Sequence, residues 1–479
     1  MTSPMRVSLF AALTLTLPVT LQAAPLAWSP CTDGVLPGSL CATGTVPASY
    51  ETSADSGTPA LSLFVRKIAA DVPAGSAPKG TLWLVAGGPG ESGASFYALI
   101  PTLRRSFPGF QFLLPDHRGT GNSARVCPAE EAADSPGGRA LAGAEWASCF
   151  ASLNQNPQLA SQFSITNAAH DLRTLITSEA GVSAQPVYLY GVSYGTQLVL
   201  RSLQLGPLAV KGVLLDSLVP PQTDPRWDLS QRSQVVNQVG LQVLADCDAD
   251  ATCHAVAGEP AQALLRRVLA KVQADPALLA KIPGKNLKNF LGSMLDVPSA
   301  RARLIPLLRD LEHGGDTELA AARASLVAAA ASLGSSAQSP LSIPLVSMIS
   351  NSENNLQPTL RPAWTTAELD QEESALLFTS PLPRMLAGGG LPTYPRDAYF
   401  GQLPANVPPM LVLQGTHDPK TPYAGAVAQV QSLQATSSNR PALVSVQQAP
   451  HFILWTAAAC FETASRRFVA GQPAQDCAL

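Results

Sequence analysis

The run Tyr188-Leu-Tyr-Gly-Val-Ser-Tyr-Gly-Thr-Gln-Leu-Val-Leu200 constrains this chain more than any other. An apolar, β-rich segment enters it and a helical segment leaves it. Gly191-Val-Ser193-Tyr-Gly195 joins the two with no room for a loop. A strand that passes straight into a helix must lay that helix back on its own sheet, which demands layered α/β packing. The turn is so tight that the residues flanking Ser193 have to be small. Ser193 itself is then held in strained backbone, its hydroxyl exposed at the carboxyl edge of the sheet. The following helix brings its N-terminus, and the amide of Tyr194, beside the serine oxygen.

Other segments repeat the same alternation. Short apolar or β-branched runs lie at 61–68, 81–87, 110–116, 186–191, 212–216, 408–415 and 442–448, as for strands buried on both faces of a parallel sheet. Helical spacing separates several of them. "ITNAAHDLRTLITSEAG" predicts a helix capped by Thr166 or Asn167 and ended by Gly181. After Asp216 the alternation stops, and from Pro220 to Tyr394 the pattern is helical almost throughout. Residues 332–340, "SLGSSAQSP", read as a surface loop. The expected organisation is a sheet domain in two parts, 25–219 and 396–479, with a helical cap of 220–395 inserted between them.

Residues 1–24 stand apart. One positive charge, Arg6, precedes an apolar run interrupted by Pro18, and the small residues of "QAAP" follow. This is the pattern of a secretory signal peptide cleaved after Ala23 or Ala24, too short to span a bilayer. The expectation is a secreted or periplasmic chain without a membrane anchor. Eight cysteines remain: Cys31, Cys41, Cys127, Cys149, Cys247, Cys253, Cys460 and Cys477. An even count in an exported chain predicts disulfides. Connectivity stays open, with nearest-neighbour pairing expected because each couple closes a short loop. The clustered spacing of a metal site is missing, so neither metal nor cofactor is expected. With 31 Lys and Arg against 34 Asp and Glu, and no basic stripe, nucleic acid is a poor partner.

A nucleophilic serine needs a base, and the base an orienting acid. Downstream, "LVLQGTHDPKTPY" ends a strand and presents Asp418, and "VSVQQAPHF" ends the next and presents His451. Serine, acid and histidine in this chain order suit a nucleophile at a strand-to-helix turn. Asp216, at the end of "GVLLD", is the competing acid. His417 is read as solvated, and His117, His254 and His313 as structural. "LVAGGPGESG" (84–93) brings backbone close to the serine with little side-chain bulk. The amides of Gly88 and Tyr194 are therefore the candidate oxyanion hole.

The segments "GGPGESG", "DHRGTGNS", "GVSYGT", "LQGTHDPKTPYAGA" and "APHF" occur in an order that resembles the proline iminopeptidase and tripeptidyl aminopeptidase branch of the α/β hydrolases. The tail around Cys460 and Cys477 resembles the carboxyl-terminal region of secreted tripeptidyl aminopeptidases. The resemblance implies an α/β-hydrolase fold, with a mostly parallel sheet flanked by helices and a helical cap. It also implies a Ser193–His451–Asp418 triad that releases short units from peptide N-termini. Two positions depart from the family: Ala86 replaces its frequent histidine, and Pro450 precedes His451 in place of glycine. An aminopeptidase must hold the substrate ammonium with a carboxylate. Glu353 resembles the family's cap acid, with Asp370, Glu372 and Glu373 as rivals. A peptide or small ester is the expected substrate, and a monomer the expected state. An esterase and a binding protein on a hydrolase fold are the competing readings.

Overall fold

The computed structural model describes residues 25–51, 59–180, 184–333, 340–357 and 364–479. The proposed signal peptide, Gly181 and most of the 332–340 segment lie outside them. Ten strands form one sheet: β1 (Ser29–Pro30), β2 (Leu40–Pro47), β3 (Ala60–Ile68), β4 (Gly80–Val85), β5 (Phe110–Pro115), β6 (Val187–Val192), β7 (Gly212–Asp216), β8 (Met410–Gly415), β9 (Ala442–Gln447) and β10 (Cys477–Ala478). Their spatial order is β1-β2-β3-β5-β4-β6-β7-β8-β9-β10. The pairings β1–β2, β2–β3 and β3–β5 are antiparallel. From β5 across to β10 every pairing is parallel.

Every residue of β4, β6, β7 and β8 is buried. The period of two then places alternate side chains in separate apolar layers. Trp83 and Val85 join one layer with Leu172, Leu198 and Val199, from the helices Ile165–Ala180 and Tyr194–Gln204. Leu82 and Leu84 join the other with Leu103 and Phe461, from the helices Ile100–Ser106 and Ala458–Val469. These layers fix the sheet's carboxyl edge, where β4, β6, β8 and β9 deliver their loops.

The seven expected strand segments are all strands. β2 and the two-residue strands at the edges were not foreseen. In β2, small and polar residues ("LCATGTVP") pair antiparallel with only Ala42 and Val46 buried, so the apolar signature of a buried strand is missing. The helix expected to begin at Thr166 or Asn167 starts at Ile165. Ser164 Oγ accepts the Asn167 amide at 3.3 Å and serves as its cap. Thr166 and Asn167 have other work, since Arg201 donates to the Thr166 hydroxyl and the Tyr50 amide donates to Asn167 Oδ1.

Between β7 and β8 the chain runs through helices from Arg232 to Ala387. They enclose an apolar core of their own, with Leu264, Val268, Leu291, Leu307 and Phe378 among its buried members. The structure pairs the cysteines as neighbours: Cys31–Cys41, Cys127–Cys149, Cys247–Cys253 and Cys460–Cys477. No helix among the described residues is long and apolar enough to cross a membrane.

Candidate active site

Ser193 joins β6 to the helix Tyr194–Gln204 with φ 53° and ψ −125°. A non-glycine residue is held there only when its surroundings over-determine it. A Cβ on Gly191 would meet the Gly195 carbonyl oxygen at 2.6 Å, and one on Gly195 would meet that of Val85 at 2.5 Å. Ser193 N donates to the Asp216 carbonyl at 2.9 Å, while Thr196 N and Oγ1 both donate to the Ser193 carbonyl. Its backbone is thus fixed on both sides, and its side chain faces a cavity.

Asp418 and His451 come to the same edge from the loops after β8 and β9. His451 Nδ1 lies 2.8 Å from Asp418 Oδ2, and both residues are buried. Asp418 Oδ1 accepts the amides of Lys420 and Thr421, each at 2.8 Å. Its Oδ2 also accepts from Thr421 Oγ1 and Gln414 Nε2. Burial pushes this carboxyl upward, but the charge and hydrogen bond of His451, with the two amides, hold it below the ordinary carboxylate range. An ionised carboxylate only accepts hydrogen bonds, so the proton sits on Nδ1 and Nε2 is left as the basic nitrogen. Gln414 and Thr421 were missed from sequence, where neither carries a distinguishing signal.

Asp216, the competing acid, is occupied otherwise. It accepts the amides of Ile453 and Leu454 and the hydroxyls of Tyr190 and Ser217. It therefore anchors the segment that carries His451, in which Gln448 and Phe452 both have positive φ. His417 also differs from expectation: it is buried, and its Nε2 contacts Asp246 Oδ2 at 2.7 Å. A carboxylate from the inserted helices shields it from water. His117 is buried against Tyr194, and burial pushes it down to about 4.

Ser193 and His451 line a cavity of about 600 Å³ between the sheet edge and the inserted helices. Gly88 and Tyr194 line it too, and neither amide donates to a backbone carbonyl among the described residues. Gly88 adopts φ 103°, a conformation open to glycine.

Glu353 is the expectation the structure corrects. It is 2 % exposed and lies outside the cavity lining. Arg201 Nη2 donates to it at 3.2 Å, Gln222 Nε2 at 2.8 Å and the Tyr394 hydroxyl at 3.0 Å. A buried carboxylate with three internal donors, set outside the cavity, is a structural counter-ion rather than a seat for a substrate ammonium. The rivals face elsewhere: Asp370 and Glu373 pair with Arg384, and Glu372 accepts from Gln234. The carboxylates that do line the cavity are Glu91, Asp228 and Asp296. Asp228 is taken up by the amides of Ser230 and Leu356. Glu91 lies inside "GGPGESG", a stretch noted only for its backbone. Its carboxyl is raised by burial, against the lowering charges of Lys420 and His451.

Residues 80–286 match the family model of the alpha/beta hydrolase fold, and residues 384–476 match that of TAP-like proteins. No curated protein matches the chain in sequence. Among solved structures, VinJ is 14% identical, with 90% of this chain and 98% of that chain covered and a TM-score of 0.40. A putative lipase from Acinetobacter baumannii AYE is 13% identical over 86% of this chain and 88% of its own, with a TM-score of 0.35. Potato (Solanum tuberosum) epoxide hydrolase I is 14% identical over 86% and 96%, with a TM-score of 0.36. The first match holds β4 to β7 and the second β8 and β9, with the strand-to-helix turn of Ser193 at the centre of the sheet: the chain belongs to the α/β hydrolases and ends in a TAP-like region.

Proposed function

We propose that this protein is an exported serine hydrolase that releases short units from peptide N-termini through an acyl-enzyme. The observation that carries the reading is the strained Ser193 sharing a cavity with His451, whose Nδ1 contacts the buried Asp418 carboxylate. His451 Nε2 takes the Ser193 proton as the oxygen attacks the scissile carbonyl, and Asp418 stabilises the imidazolium. The Gly88 and Tyr194 amides receive the oxyanion. His451 then returns the proton to the leaving amine, and water hydrolyses the ester. Glu91 takes the role foreseen for Glu353 and faces the substrate ammonium. Four disulfides and the leader-like residues 1–24 support export.

A carboxylesterase is the second reading, favoured by the apolar wall of Leu326, Leu333, Leu341, Val346, Phe452 and Trp455. Free-amino di- and tripeptide amides, their N-blocked forms and short-chain esters separate the two. Peptide cleavage that disappears on N-blocking is the expected result, and activity confined to esters supports the second reading. Ser193→Ala is expected to lower kcat by roughly 10⁴-fold or more on any substrate. Retained turnover in that variant refutes both readings.

A further inference from the structure

We propose that Arg232, assisted by Lys420, binds a carboxylate of the substrate, so that the site selects short acidic or free-acid peptides. The proposal rests on the hydrolase reading above and names the substrate class of the same cavity.

Arg232 opens the helix Arg232–Ala249, in the inserted segment, and reaches across to the loop that holds Asp418. Its guanidinium makes one hydrogen bond among the described residues, from Nη1 to the Pro419 carbonyl at 3.3 Å. No carboxylate among them lies within ion-pair distance, although Asp418 and Asp296 are near enough to favour its charge. It lines the cavity together with Ser193 and His451. Arg232 is half-buried, and a guanidinium cannot discharge itself by losing a proton, so partial burial without a carboxylate partner carries a cost. Two fully buried arginines show the contrast. Arg118 forks onto both oxygens of Asp171, and Arg201 meets Glu353 and Asp397.

Lys420 follows Pro419, the residue whose carbonyl Arg232 contacts, lines the same cavity and is paired with Asp296 at 2.5 Å. Glu91, whose carboxyl takes a backbone hydrogen bond from Gly87, is assigned to the substrate ammonium. With Lys420 matched by Asp296, the cavity cation left without a carboxylate of the described residues in ion-pair distance is Arg232, the one with a planar fork of donors. A carboxylate accepts two parallel N–H bonds from such a fork, which fixes direction as well as position. In a peptide that group is either the terminal carboxylate of a short substrate or an acidic side chain.

The experiment compares tri-alanine with tri-alaninamide, and Ala-Glu-p-nitroanilide with Ala-Gln-p-nitroanilide, by kcat/KM. In parallel, calorimetry measures binding of tri-alanine and tri-alaninamide to the Ser193→Ala protein, so the result stands even if peptides prove not to be turned over. The expected result is a preference of roughly ten- to a hundredfold for the charged member of at least one pair, the size of a hydrogen-bonded charge pair. The first pair detects a terminal carboxylate and the second a side chain. Arg232→Gln brings the ratio towards one, chiefly through KM, and Arg232→Lys restores part of it. Thermal midpoints confirm that the variants fold. Should Arg232→Gln fail to fold, Lys420→Met reads the same ratio, which is expected to fall. Equal handling of charged and neutral members by the native protein overturns the proposal, as does a ratio that survives Arg232→Gln. Loss of turnover without loss of the binding preference would instead count against the hydrolase reading alone.

Discussion

Gly195→Ala tests how tightly the turn around Ser193 is built. The added Cβ would lie 2.5 Å from the Val85 oxygen and 2.7 Å from that of Ala86, both backbone atoms of the strand end that cannot swing aside. A loss of about 1–3 kcal/mol in urea denaturation is expected, with activity falling further than stability because the Ser193 position shifts. Glu353→Ala tests the correction made above. It leaves Arg201 buried with only the partly exposed Asp397 as counter-charge, and about 3–5 kcal/mol of stability should be lost. A variant that folds normally but binds free-amino substrates poorly would restore Glu353 to the substrate site. Ser193 was legible because glycine sterics act between adjacent residues. The fate of Glu353 was not, since its partner Arg201 is 152 positions away.

At the scale of elements, the loop carrying His451 depends on β7 more than on its own residues. Asp216→Asn replaces one accepting oxygen with a donor that would confront the Ile453 or Leu454 amide. The expected outcome is a drop in kcat of roughly tenfold or more, with KM little changed, checked by steady-state kinetics. The terminal helix is tied to the edge strand β10 by Cys460–Cys477, which closes a separation of 17 residues. Replacing both with serine should cost about 3 kcal/mol, read from the denaturation midpoint. Buried parallel strands announce themselves through continuous apolar runs, so β4 and β6 to β9 were readable. β2 and β10 owe their existence to a neighbour with free backbone groups, and a single segment does not display that.

For the whole molecule, two adjacent buried groups give opposite pH dependences. Burial pushes His117 down to about 4, so the folded chain holds fewer protons than the unfolded one as pH falls from 6.5 to 4. Stability is lost over that fall. Asp116 is pushed up to about 6 by burial, against the amides of Asn122 and Gly93. Its contribution is full below about 3.8 and is lost as pH rises through 6. Each effect amounts to about 3 kcal/mol, so the pair nearly cancels between pH 4 and 6. Urea midpoints of His117→Gln should fall as pH rises through this window, and those of Asp116→Asn should fall as it drops. Identical profiles for both variants would refute the assignment.

The order of the seven apolar strands, the position of the inserted helices, the serine turn and the chain order of acid and histidine were all present in the sequence. Each rests on periodicity or on sterics between near neighbours, and both act over a few residues. Packing decided everything that depends on a partner. It gave Asp418 to His451 and Asp216 to the amides of Ile453 and Leu454, and it sealed Glu353 against Arg201. It also carried Arg232 across 187 positions of chain to stand beside Pro419. A buried charge is defined by what surrounds it, and those surroundings exist only once distant segments meet.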